Sequence, residues 1–284
     1  MSTVIQTPKI VRGVSSVTSL EIGRKNVLLI GEYHSNEKYE RCGSDKTKEM
    51  GILSFIKKVT RNRPDFVLLM EGDPNYPLND LLYTYKYHSW NMDEIIREYV
   101  DTGKLVYIDI RPGFIPEYLY ALRETSEIPL LQFFQTFIAP AFGAYESLQN
   151  LDYNNLPKTE EEHLRRYLNH IRQLIDILDH SIPPGIPDEM WNRTLAEYYA
   201  SGGYFTTQSG DHLLTLAFNL WMKIVDFVVL YRVYTLPQTY FIILIGDAHA
   251  ENISNMFGPT NIKSQGRLIK KNCVDISRMT FFRN

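Results

Sequence analysis

Two histidines sit three residues past a glycine in matching surroundings. VLLIGEYH (Val27 to His34) and YFIILIGDAH (Tyr240 to His249) each run apolar residues into a Gly, an acid, one further residue and a His. An imidazole held on so short a tether from a rigid strand is what a general base or a metal ligand requires. The glycine tolerates a sharp turn and leaves room for a ligand or a second backbone. With 16 Gly and 7 His in 284 residues, chance supplies roughly 0.4 such spacings. Two copies, each ending an apolar run and each with an acid after the Gly, therefore stand out. The competing reading, which serves for either copy alone, is a strand-end histidine that bonds a neighbouring carbonyl.

Acidic groups accompany the pair. Glu71 ends the apolar run VLLMEGD (Val67 to Asp73), where it would orient water or ligate a metal; a helix N-cap or a loop salt bridge explains it equally well. Glu32 and Asp247 follow the two glycines. Facing the site they would complete a divalent-metal set with the imidazoles; facing away they would orient a histidine or cap a helix. In LVYIDIRPG (Leu105 to Gly113), Asp109 and Arg111 share one strand face. Arg111 would supply positive charge to an oxyanion, or the two would simply pair.

Other chemistry is poorly represented. There is no Gly-x-Ser-x-Gly and no HExxH, so water is the expected nucleophile. Asp211 and His212 open a helix after a Gly/Ser/Thr-rich loop, where Ser209 or Asp211 reads as an N-cap. His163, His170 and His180 lie among polar residues at helical spacing and read as solvated. A net charge of −3 without a basic stripe gives no footprint for nucleic acid. Cys42 and Cys273, far apart and without further ligands nearby, suggest neither a disulfide framework nor a zinc site, and hence a reducing, cytoplasmic setting. The N-terminus lacks the apolar core of a signal peptide, and Leu213 to Leu236 carries Asn219, Lys223, Asp226 and Arg232. It reads as a buried helix, with no membrane span.

The elements that must place these residues alternate in type. Val27 to Ile30, Asp65 to Met70 and Leu105 to Ile110 read as strands, with a helix over Lys46 to Arg61 and others between Leu78 and Val100. Strands separated by helices predict a parallel sheet. From 114 to 236 the pattern is helical, over Leu130 to Gln149, Glu160 to His180, Asp188 to Tyr199 and Asp211 to Tyr234. Strand character returns at Thr239 to Ile245, then a helix from Ala250 and a closing strand over Arg267 to Ile276. The expectation is one α/β domain over 1–284, a mostly parallel sheet with a helical insertion at 114–236 covering its carboxyl edge, where ligands of such sheets bind. His34, Glu71 and His249 should then converge within about 10 Å.

Paired Gly-x-x-His motifs at opposite ends of an α/β domain, with Glu71 at the end of the intervening strand, resemble the superfamily joining TraB/Tiki proteases, erythromycin esterases and ChaN-like proteins. GEYH is most similar to the esterase and ChaN variants. TraB-like proteins place an Arg shortly after that Glu, whereas EGDPNYP (Glu71 to Pro77) has none, and the helical middle aligns with no relative. The resemblance implies hydrolysis of an ester or amide but carries over no substrate, which is expected to be a small molecule or peptide. His34 or His249 would be the base, Glu71 its helper and Arg111 an electrophile. It leaves cofactor use open, since relatives include metal-dependent peptidases and metal-independent esterases. In the metal version His34 and His249, with Glu32, Glu71 or Asp247, would hold one Mn²⁺, Co²⁺ or Zn²⁺ with a position left for water. The GEYH layout favours the metal-free version. The alternative is a non-catalytic metal- or haem-binding or interaction protein on the same scaffold.

Overall fold

A computed structural model describes residues 9–32, 42–43, 48–71, 90–110, 128–181, 188–195, 197, 213–279 and 281. The chain is mixed α/β and divides into two compact units, Met1–Asp109 with Leu236–Asn284, and Ile110–Thr235.

The first unit is built on a six-stranded sheet of strands β2 (Ser16–Ile22), β3 (Lys25–Glu32), β5 (Phe66–Met70), β6 (Leu105–Tyr107), β7 (Tyr240–Gly246) and β8 (Ile262–Gln265), in the spatial order β6-β5-β7-β3-β2-β8. The four strands β6, β5, β7 and β3 run parallel, while β2 is antiparallel to β3 and β8 to β2. The apolar runs explain the centre. VLLI, FVLLM and FIILI are buried on both faces, as parallel strands between helices must be. Each fully buried Leu or Ile contributes about 1.5–3 kcal/mol.

Alternation along these strands sorts their residues. Leu28, Ile30, Leu68, Met70, Ile242 and Leu244 share a core with Ile52, Phe55 and Ile56 of helix α1 (Ile52–Thr60) and with Ile95, Ile96 and Tyr99 of α2 (Trp90–Tyr99). Gly31, on the opposite face, meets Ala250 of helix α8 (Asp247–Phe257). The helices that follow β3 and β5 thus pack on one face, and the helix that follows β7 on the other. The carboxyl end of β7 is therefore a switch point, the place in an open sheet where departing chains leave a crevice.

Three differences from the expected elements have local causes. The helix expected from Lys46 starts at Ile52 because β4 (Glu49–Gly51) pairs with β1 (Ile10–Arg12). These belong to a second, four-stranded sheet, β4-β1-β10-β9. The single closing strand is a hairpin, β9 (Arg267–Lys270) and β10 (Cys273–Asp275), whose turn places Asn272 at φ 64°, a left-handed conformation that Asn tolerates. β2 was not expected at all. It is joined to β3 through Gly23, at φ 58°, and Gly at the first position of a two-residue hairpin is a recognised turn signal.

The cysteines also differ from expectation. Cys42 and Cys273 form a disulfide with a Cα–Cα distance of 5.6 Å, 231 residues apart in sequence. The cross-link removes the ground on which a reducing compartment was inferred.

The second unit is helical: α3 (Leu130–Phe133), a π-turn (Phe134–Ile138), α4 (Ala139–Gln149), α5 (Lys158–His180), α6 (Asp188–Trp191) and α7 (Leu213–Thr235). Pro140, lacking an N–H, follows the π-turn, and the Trp221 indole donates to the Phe137 carbonyl there at 2.9 Å. The helix expected over Asp188 to Tyr199 ends at Trp191. Thr194 and Glu197 exchange two bonds of 2.9 and 3.1 Å, the reciprocal pair of a capping box. Among the described residues, α7 alone is long and apolar enough to cross a membrane, with 72% of its most apolar window buried.

Candidate functional site

Three strand ends meet at the switch point. In the register, Glu32 of β3 lies beside Gly246 of β7, and Met70 of β5 beside Leu244. Glu71 continues the β5 ladder, its N–H donating to the Leu244 carbonyl at 3.1 Å. Its Oε2 accepts from the Gly246 N–H at 2.9 Å, at the N-cap of α8. Its Oε1 stands 3.8 Å from His249 Nε2 in the first turn of the same helix. Both side chains are nearly closed to solvent, His249 at 3% and Glu71 at 7% exposure. One carboxylate oxygen of Glu71 thus holds the start of a helix while the other faces an imidazole.

Asp247 turns the other way. Its Oδ1 accepts from the Ser15 hydroxyl at 2.5 Å and from the Ser16 hydroxyl at 3.1 Å. To reach β2 the side chain passes over β3 at Gly31. A Cβ there would sit 2.3 Å from Ser16 Oγ and 2.8 Å from Asp247 Oδ1, closer than Cβ contacts come without displacing a neighbour. The glycine of the first Gly-x-x-His is thus required by the helix that carries the second. No feature of SSVTSLEI (Ser15 to Ile22) by itself pointed to Ser15 and Ser16, because their role exists only once α8 lies across β3.

Glu32 is buried at 1% exposure and follows the parity of Leu28 and Ile30, on the face opposite the Glu71–His249 pair. Asp109 lies just past β6, half-buried. His34, Arg111, Ser209, Asp211 and His212 lie outside the described residues. Among those described, no group of three His, Cys, Asp or Glu side chains is arranged to hold a metal ion. With one oxygen of Asp247 given to two serines and one of Glu71 to a backbone N–H, these donors alone do not form the expected metal set.

A second titratable cluster lies in the helical unit, between α5 and α7. His163, read from sequence as solvated, accepts or donates at Nδ1 to the Tyr234 hydroxyl at 2.6 Å. Burial, then Arg166, hold its pKa below the ordinary imidazole value. The Tyr167 hydroxyl donates to Oδ2 of the fully buried Asp226 at 3.4 Å, and burial followed by that carboxylate pushes the phenol well above its usual range. His170 and His180 are exposed as expected.

Comparison of the chain with protein-family models, curated proteins and solved structures finds no match.

Proposed function

We propose that the chain hydrolyses an ester or amide bond at the carboxyl edge of its parallel sheet, with His249 as general base and Glu71 orienting it. The observation that carries this reading is the buried Glu71–His249 pair at 3.8 Å, placed at a strand end where departing helices diverge. A carboxylate beside an imidazole in a dry site favours the proton-accepting role by stabilising the imidazolium that forms. His34 is the second imidazole in this reading and Arg111 the candidate electrophile. The substrate class is a small molecule or peptide, with no nucleic acid as partner and no membrane span.

The resemblance to the TraB/Tiki, erythromycin esterase and ChaN-like superfamily supports the same reaction class. The GEYH layout favours the metal-free version, so the proposal uses no ion; a metal version would hold one Mn²⁺, Co²⁺ or Zn²⁺ with His34 as a further ligand. A cytoplasmic setting belongs to the proposal as well, and the Cys42–Cys273 bridge weighs against it, because disulfides persist chiefly in oxidising compartments.

A second reading, a binding module without turnover, is favoured by the engagement of Glu71 Oε2 with the Gly246 N–H, which is a sufficient structural reason for a buried carboxylate there. A panel of ester and amide substrates separates the two. Under the hydrolase reading, His249→Ala and Glu71→Gln each lower kcat/KM by about 10²-fold or more, and chelation leaves the native rate unchanged. Native protein that turns over no substrate while binding one would establish the second reading.

A further inference from the structure

The first turn of α8 is held from both sides. On one side Glu71, extending β5, accepts the Gly246 N–H. On the other, Ser15 and Ser16 at the start of β2 donate to Asp247. Strand order places β7 and β3 between these anchors, and the second anchor exists only because Gly31 leaves a gap above β3. His249 projects from the turn so clamped. The geometry points to Asp247, with Ser15, Ser16 and Gly31, as a positioning lock that sets where the His249 imidazole stands relative to Glu71.

This rests on the reading of His249 as the working base, and it assigns Asp247 a role different from metal ligation. A ligand or a reacting carboxylate needs its charge, whereas the lock needs only an acceptor oxygen for two hydroxyl donors. A hydroxyl bonded to a carboxylate is short and directional, and an amide carbonyl keeps the same acceptor geometry. Gly31 enters for a steric reason, since any side chain at that position occupies the path between Asp247 and the serines.

The test compares Asp247→Asn, Asp247→Ala, the Ser15→Ala/Ser16→Ala pair and Gly31→Ala in the full chain. Expected are kcat within about threefold of native for Asp247→Asn, and losses of tenfold or more, with KM unchanged, for the other three. A second readout needs no substrate: the side-chain NMR signals of His249 in histidine-labelled protein should match native in Asp247→Asn and shift or broaden in the serine pair and in Gly31→Ala. Should Asp247→Ala not fold, the serine pair and Gly31→Ala carry the comparison. Asp247→Asn as damaging as the serine pair, or a serine pair that leaves the His249 signals at their native positions, overturns the lock. Absence of turnover in the native protein counts against the hydrolase reading alone, because the NMR comparison still reports on the lock.

Discussion

Reducing the Cys42–Cys273 bridge should cost this protein a large share of its stability without a single substitution. The bridge closes a loop across 231 residues, so in the unfolded chain it removes a great deal of conformational freedom that the folded chain does not have to lose. The loop-closure relation assigns about 4.7 kcal/mol to a loop of about 100 residues. Each further lengthening adds only logarithmically, and extension to the 231-residue separation adds about 0.7, for a ceiling of about 5.5 kcal/mol at room temperature. Structural disulfides generally deliver about 2–5 kcal/mol, against a typical total stability of about 5–15 kcal/mol. Urea unfolding of the oxidised protein and of the same protein held in a phosphine reductant, each extrapolated linearly to water, measures the difference. A thiol assay confirms the two states. A difference below about 1 kcal/mol between fully oxidised and fully reduced samples would refute the argument that this bridge ties the two chain segments of the first unit together.

Two further outcomes concern the helical unit. His163 has its pKa lowered by burial and Arg166, so the unfolded chain takes up the proton first; stability should be intact above the ordinary value of about 6.5 and decline as pH falls below it. His163→Gln should flatten that acid limb in a plot of Tm against pH, and an unchanged limb would sink the assignment. Tyr167→Phe removes a donor from Asp226, which is fully buried, and should lower stability by about 1–3 kcal/mol by chemical denaturation; a neutral result would mean that the other partners of Asp226 satisfy it alone.

The sheet's parallel centre was legible because its strands are buried on both faces. VLLI, FVLLM and FIILI have no polar residue to confuse with a surface strand, and the glycines that end two of them mark where the chain turns. β2 was hidden for the opposite reason: SVTSLEI places Ser19 and Thr18, buried at 5% and 6% exposure, where an apolar alternation would have shown it. Three-residue strands such as β1 and β4 are too short to establish a period, so of the second sheet only the segment Arg267 to Ile276 was read, as one strand rather than a hairpin. Glu71 was singled out because it closes a strand run and His249 because it follows a strand-ending glycine by three residues, and the two stand 3.8 Å apart. The division between Glu32 and Asp247 was not identified, because it depends on the face each carboxylate takes and on a helix passing over Gly31. The pairing of Cys42 with Cys273 is a contact between distant segments, and two cysteines at such separation carry no local mark of it.

The position of β7 in the sheet has a consequence for the order in which the molecule can be made. β3 and β5 are not neighbours; each pairs with β7, whose residues follow the whole helical stretch in the chain. As the polypeptide emerges during synthesis, β3 and β5 are therefore complete long before the strand that joins them exists. Until Tyr240–Gly246 arrives, each presents an unpaired apolar edge, the kind of surface through which nascent chains associate wrongly. The central ladder can only close after release of a late segment, and it closes through contacts of very long sequence separation, which form slowly. A chain interrupted before that segment would lack the strand that joins β3 to β5, so the sheet centre of the first unit can form only when translation has passed Gly246.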